Sequence, residues 1–212
     1  MANFQANPSA AGPHPGLIVI QEFWGVNDHI KDVTRRFASE GFVSLAVDLY
    51  DDRIATNPQE ARQMLQSVDQ KTALEKLNAG VSTLKADPQI AGGKIGVVGF
   101  CMGGHFALLL ASENKEIRAA SPFYGRVPPS EVLEKISVPV LCVYAGKDDH
   151  IPTSEPARVG EVLGRKGVPV EVKIYPDAHH AFMNDTRKEV YKADDAKDAW
   201  TRAVSFFKTH LA

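Results

Sequence analysis

The chain has 212 residues, 44% of them hydrophobic, enough for one substantial core or at most two small ones. Its 24 basic and 26 acidic residues leave a formal net charge of −2, so no positive excess points to nucleic acid or an anionic membrane, and a small-molecule partner is expected. No apolar run reaches the roughly 18 residues of a membrane span, and Met1 to Gly16 lacks lysine, arginine and an apolar core, so no signal peptide is expected and the protein is read as cytoplasmic.

In chain order, apolar strand-like runs alternate with helical patterns. Leu17 to Gln21 precedes a helix over Asp28 to Glu40, and Phe42 to Val47 precedes helices near Pro58 to Ser67 and Gln70 to Ala86. Lys94 to Gly99 leads into a helix ending near Ser112. Ala119 to Phe123 is followed by a short helix after Ser130, Val138 to Tyr144 by a helix from Glu155 to Lys166, and Val170 to Tyr175 by a last helix near Lys192 to His210. Strands so apolar, separated by helical crossovers, predict a mostly parallel sheet with helices on both faces. Asn27, Asn57, Asp69 and Ser154 are predicted N-caps, Pro58 and Pro156 first-turn residues, and Gly41 and Gly167 C-terminal stops. No linker or composition break divides the chain, so residues 1–212 read as one domain with a short N-terminal segment over 1–16.

The densest chemical signal is Gly99-Phe100-Cys101-Met102-Gly103-Gly104, where an apolar strand meets an Ala/Leu-rich helix. Glycines two before and two after the cysteine permit a tight strand-to-helix turn that lifts the side chain above the sheet, a nucleophile elbow with sulfur in place of the usual serine. At a helix N-terminus, exposed N–H groups and the positive dipole end favour a thiolate and can hold an oxyanion. The alternative is a buried cysteine in a glycine-rich turn. Cys142, inside an apolar run, has no such setting, and no disulfide between the two is expected in a reducing compartment.

A thiolate nucleophile needs a base, and the base needs an orienting group. Of the seven histidines, His14, His29, His105 and His210 lie in the tail, on helices or at the C-terminus, with His105 aimed away from the sulfur. His179 and His180 follow the strand ending at Tyr175, where an open parallel sheet gathers reactive groups. Adjacent histidines point apart and rarely chelate one ion, so no metal is expected. Asp148 or Asp149, just past Tyr144, supplies the acid, and the order Cys, Asp, His is that of α/β-hydrolases. Glu22 ends the first strong strand, facing Cys101. Next to it the Phe23 amide, with that of Met102, is the candidate oxyanion hole. A carboxylate beside a thiol raises both proton affinities, so Glu22 is a candidate to accept or hold the sulfur's proton.

The elbow, Gln21-Glu22-Phe23-Trp24-Gly25-Val26-Asn27, Asp48-Leu49-Tyr50, Gly146 to Pro152 and Tyr175 to Phe182 together resemble the dienelactone hydrolase family of α/β-hydrolases, over roughly Pro13 to His210. The resemblance implies a Cys101, His180, Asp148 triad with Glu22 near the thiol, and makes Asp149 and His179 neighbours rather than catalysts. It also implies action on small esters or lactones without metal or organic cofactor. Members that open dienelactone hold its carboxylate with two arginines; Arg62 is the candidate for one, and Asn184 stands where the other falls. An amide supplies neither the charge nor the fork of a guanidinium, so an acidic lactone is in doubt as substrate. Trp24, Arg62 and Asn184 are the candidate substrate contacts. The short N-terminus is expected to lack the family's leading strand or hairpin, and a monomer is expected.

The sequence therefore reads as an α/β-hydrolase cleaving a small carboxylic ester or lactone through Cys101. Two rivals stand beside it. One is a flavodoxin-like cysteine-elbow protein of the amidotransferase type, which usually carries a histidine directly after the cysteine where this chain has Met102. The other is a catalytically silent ligand-binding member of the same fold.

Overall fold

The computed structural model describes residues 3–212, the side chain of Ala91 excepted. Its strands are β1 (Phe4–Ala6), β2 (His14–Ile20), β3 (Val43–Val47), β4 (Ile90–Phe100), β5 (Ile117–Phe123), β6 (Val140–Ala145) and β7 (Val170–Tyr175). The helices are α1 (Asp28–Ser39), α2 (Pro58–Gln66), α3 (Gln70–Ala86), α4 (Met102–Glu113), α5 (Ser130–Leu133), α6 (Ser154–Arg165) and α7 (Ala193–His210). The strands form one sheet in the order β1-β3-β2-β4-β5-β6-β7, parallel throughout except for antiparallel β1 at the edge.

Alternation along each strand divides the core in two. On β4, Ile95 and Val97 face the layer holding α2 to α6, whereas Val98 and Phe100 face the layer of α1 and α7. Ile30, Val33 and Phe37 of α1 meet Ala199, Ala203 and Phe207 of α7 in that second layer. A sheet covered on both faces has no polar side to show, which is why β2 to β6 are largely apolar, whereas β7 at the edge alternates Val170, Val172 and Ile174 with Glu171 and Lys173.

Local signals act where expected at three helix starts. The side chains of Asn27, Asn57 and Asp69 accept from Ile30 N, Glu60 N and Thr72 N. At α6 the helix instead begins on Ser154 itself, and Thr153 occupies the cap without a side-chain bond. The leading strand expected to be absent is present: β1 pairs Phe4 with Ala46 and Ala6 with Ser44, and Arg35 stacks over the Phe4 ring at 4.8 Å. Three residues are too few to show an alternation pattern, so only pairing with β3 reveals them. No helix among the described residues is long and apolar enough to cross a membrane.

Candidate active site

The parallel strands all end on the same side of the sheet, and the chemistry collects there. Cys101, between β4 and α4, sits at φ 55°, ψ −115°, a conformation that an L-residue holds only when its surroundings impose it. Two glycines allow it. A Cβ on Gly99 would lie 2.0 Å from the Gly103 oxygen, and one on Gly103 would lie 2.4 Å from the Ile20 oxygen, so strand, turn and helix approach backbone to backbone. The Cys101 amide is tied to the Phe123 oxygen of β5 at 3.0 Å. The sulfur-bearing residue stays partly exposed, and its neighbour Met102 opens α4, where an amide has no intrahelical acceptor.

The loop after β2 reaches the same place. A turn closed by Gly25 N donating to Glu22 O at 3.3 Å has Phe23 and Trp24 as its central residues, their rings meeting edge to face at 4.7 Å. The Phe23 amide thus heads a second strand-end loop beside the elbow. Trp24 is half-buried against the α2 to α6 layer.

Past β6 and β7, one member of each doubled pair is drawn inward. Asp148 Oδ2 lies 2.7 Å from His180 Nδ1, with the Asp148 side chain 1% exposed and that of His180 18% exposed. Asp149 and His179 face solvent. Burial works against the Asp148 carboxylate, but hydrogen bonds from His180 and from the amides of His150 and Ile151 outweigh it and hold Asp148 below the usual carboxylate range. Burial likewise opposes charge on His180. The hydrogen bonds to Asp148 and Cys101, with the charges of both, override it and push His180 up to about 10. An imidazole held by a carboxylate on Nδ1 and set close to a sulfur can take a proton from that sulfur and return it to a leaving group.

Three further side chains, none assigned a role from sequence although Tyr50 and His150 lie in motifs named above, complete the surroundings. Tyr124, after β5 at φ 38°, is fully buried, stacks edgewise on His180 at 5.1 Å and donates to Glu22 Oε1 at 3.4 Å. Its phenol is raised well above the ordinary tyrosine value by burial and by the charges of Glu22 and Cys101. Tyr50, after β3, donates to the Met102 sulfur at 3.4 Å. The ring of His150 meets that of His180 edgewise at 5.4 Å. The signal that could have found Tyr124 and Tyr50 is position alone, because both follow a strand at the end where Cys101 lies.

Glu22 and Asn184 meet each other. Glu22 is 2% exposed and Asn184 1%, and Asn184 Nδ2 donates to Glu22 Oε2 at 2.8 Å. Asn184 is therefore taken up by the carboxylate in this structure rather than facing the cleft. Arg62 is exposed on α2, and among the described residues no hydrogen bond or ion pair joins it to the groups around Cys101. No cluster of three metal-ligating side chains occurs among the described residues.

Comparison with known proteins points one way. Residues 1–211 match the model of the dienelactone hydrolase family. "Protein usf" of Aquifex pyrophilus is 37% identical over 97% of this chain and 92% of its own. A protein of Aquifex aeolicus named "putative carboxymethylenebutenolidase" is 35% identical, again covering 97% of this chain and 92% of its own. Among solved structures, a "putative dienelactone hydrolase" of Klebsiella pneumoniae superposes with a TM-score of 0.88 at 30% identity, over 97% of this chain and 92% of that one. The seven-stranded sheet with its crossovers is that of an α/β-hydrolase, which removes the flavodoxin-like alternative.

Proposed function

Because the chain belongs to the dienelactone hydrolase family, we propose that it cleaves small carboxylic esters or lactones with Cys101 as nucleophile, through a thioester acyl-enzyme. The observation that carries this reading is the 2.7 Å Asp148 to His180 contact set against Cys101 at the elbow.

His180, whose basicity is raised against the effect of burial by Asp148 and Cys101, takes the Cys101 proton. The sulfur then attacks the acyl carbon, forming the C–S bond and pushing the carbonyl electron pair onto oxygen, where the Phe23 and Met102 amides receive it. Collapse of this intermediate breaks the C–O bond, and the leaving alkoxide takes the proton from His180. Water attacks the thioester with His180 as base, releasing the acid and restoring the thiolate. Asp148 holds the tautomer with Nδ1 protonated, leaving the other ring nitrogen for the sulfur. Glu22 assists as a relay through which the thiol proton passes to His180, and is again a carboxylate once the imidazole holds it. Trp24 lines the approach to the oxyanion amides. The chain acts as one domain, as a monomer in the cytoplasm.

The test is hydrolysis of a short p-nitrophenyl ester before and after one equivalent of iodoacetamide. The expected result is loss of turnover in proportion to alkylation of Cys101, with an acyl adduct on that residue when the reaction is quenched early. Unchanged turnover with Cys101 fully alkylated overturns the proposal.

A further inference from the structure

Glu22 is a buried carboxylate whose partners are both neutral. Asn184 Nδ2 donates to one oxygen at 2.8 Å and the Tyr124 hydroxyl to the other at 3.4 Å. The orientation of the Asn184 amide is imposed from the far side, where its Oδ1 accepts from Thr186 N at 3.1 Å and Thr186 Oγ1 at 2.6 Å, so an N–H must face Glu22. The following residue, Asp185, is held by Arg36, which fixes the loop.

The cations of the neighbouring loops are committed elsewhere. Arg187, whose charge reaches Tyr124, makes its ion pair with Glu189 at 2.8 Å rather than with Glu22, Lys147 pairs with Asp177 at 2.7 Å, and Lys76 with Asp51 at 2.8 Å. The imidazolium of His180 is matched by Asp148. Glu22 thus stands without a cationic partner among the described residues. It is also one residue from the Phe23 amide, and the Tyr124 that donates to it at 3.4 Å stacks edgewise on His180 at 5.1 Å, so Glu22 lies one side chain behind the imidazole and next to the candidate oxyanion amide.

Resting on the hydrolase reading above, we propose that the uncompensated Glu22 carboxylate, oriented by Asn184, selects uncharged acyl groups and rejects acyl groups that carry a carboxylate. Two like charges a few ångströms apart in a partly desolvated site repel strongly enough to separate otherwise matched substrates by about tenfold or more.

Two measurements test this. The first compares kcat/KM for p-nitrophenyl butyrate and mono-p-nitrophenyl succinate, which share a leaving group and differ in the charge at the acyl end. The neutral ester is expected to be favoured by about tenfold or more over the same ratio measured in Glu22→Gln, a reference that, unlike uncatalysed hydrolysis, is not distorted by attack of the succinate carboxylate on its own ester. The second compares alkylation of Cys101 by iodoacetamide and iodoacetate, normalised to the same ratio for free glutathione, and needs no turnover. A preference for iodoacetamide of about tenfold is expected. In Glu22→Gln the new amide can still accept from Asn184 and donate to Tyr124; turnover falls overall and alkylation by iodoacetamide speeds up, but both selectivity ratios should shrink, that of alkylation toward the ratio for free glutathione. Equal or better handling of the anionic partner by the wild type, or ratios unmoved in Glu22→Gln, overturns the proposal. Hydrolysis of neither ester would overturn the hydrolase reading, while the alkylation ratio would still decide the charge selection.

Discussion

The molecule contains the same side chain in two opposite settings. Cys142 lies inside β6, fully buried in regular strand conformation, paired across to Val172 of β7, and burial alone pushes its thiol far above the ordinary value. Cys101 lies one residue past β4, at positive φ, partly exposed, with an imidazole beside it. The sulfur chemistry available in each case is set by backbone position, not by the residue. A thiol in mid-strand is a small apolar filler. One residue past the strand end, the chain must turn into a helix, and that turn presents the side chain to a helix N-terminus and to the neighbouring strand ends.

The sharpest way to break this contrast is to delete each sulfur. Cys101→Ala should lower ester turnover by about 10⁴-fold or more, judging by nucleophile deletions in comparable triads. Because alanine keeps the Cβ and its φ strain, the melting temperature should barely move. Cys142→Ala should do the opposite, keeping turnover and costing about 1 kcal/mol through the small cavity it leaves. Activity assays beside thermal melts decide it, and a Cys142→Ala enzyme inactive at unchanged stability would end the distinction.

Next in size are the doubled neighbours. His180→Gln should reduce turnover by about 10²- to 10⁴-fold and Asp148→Asn by somewhat less, since a thiol is partly ionised without help. His179→Gln and Asp149→Asn should stay within about twofold, because both side chains are exposed. Equal losses within either pair, measured as kcat/KM, would show that burial beside Cys101 does not mark the working member.

Gly99→Ala probes the turn itself. The added Cβ meets the Gly103 oxygen at 2.0 Å, and neither backbone can retreat without parting β4 from α4. Destabilisation of at least about 3 kcal/mol in urea unfolding is expected, or failure to fold. Tolerance of alanine there would mean that the close approach is not what holds Cys101 in place.

The effect of pH is spread over a wide window and is small at any one pH step. A histidine held at about 10 when folded, against an ordinary 6.5, contributes stability that is fully present below 6.5 and is lost as pH rises toward 10. Wild type should therefore lose stability across that window relative to His180→Gln, by at most about 1.4 kcal/mol per pH unit. The Asp148 and His180 shifts describe one ion pair and are not to be added. Parallel pH profiles for the two proteins, followed by urea midpoints, would remove the ion pair from the account.

Much of this was legible in the chain itself. Five parallel strands announce themselves as largely apolar runs because both faces of the sheet are covered there, edge strand β7 by its alternation instead, and the elbow because backbone crowding admits little but glycine at 99 and 103. The ends of elements were less readable. β4 begins at Ile90 rather than Lys94, since Gly92 and Gly93, at φ 55° and 70°, interrupt its pattern while the strand still pairs with β2.

What the sequence by itself determined is the local part: a sheet built from alternating strands and helices, a cysteine forced out of a tight turn, and an acid and a histidine each just past a strand. Only the tertiary structure decided which strand ends are neighbours. Glu22, Tyr124 and Asn184 lie on three separate loops, 102 and 162 residues apart along the chain from Glu22, and no spacing rule joins them. They meet because β2, β4 and β5 are adjacent in the sheet and the loop after β7 folds back across their ends, burying a carboxylate whose side-chain hydrogen-bond donors among the described residues are an amide and a phenol from elsewhere.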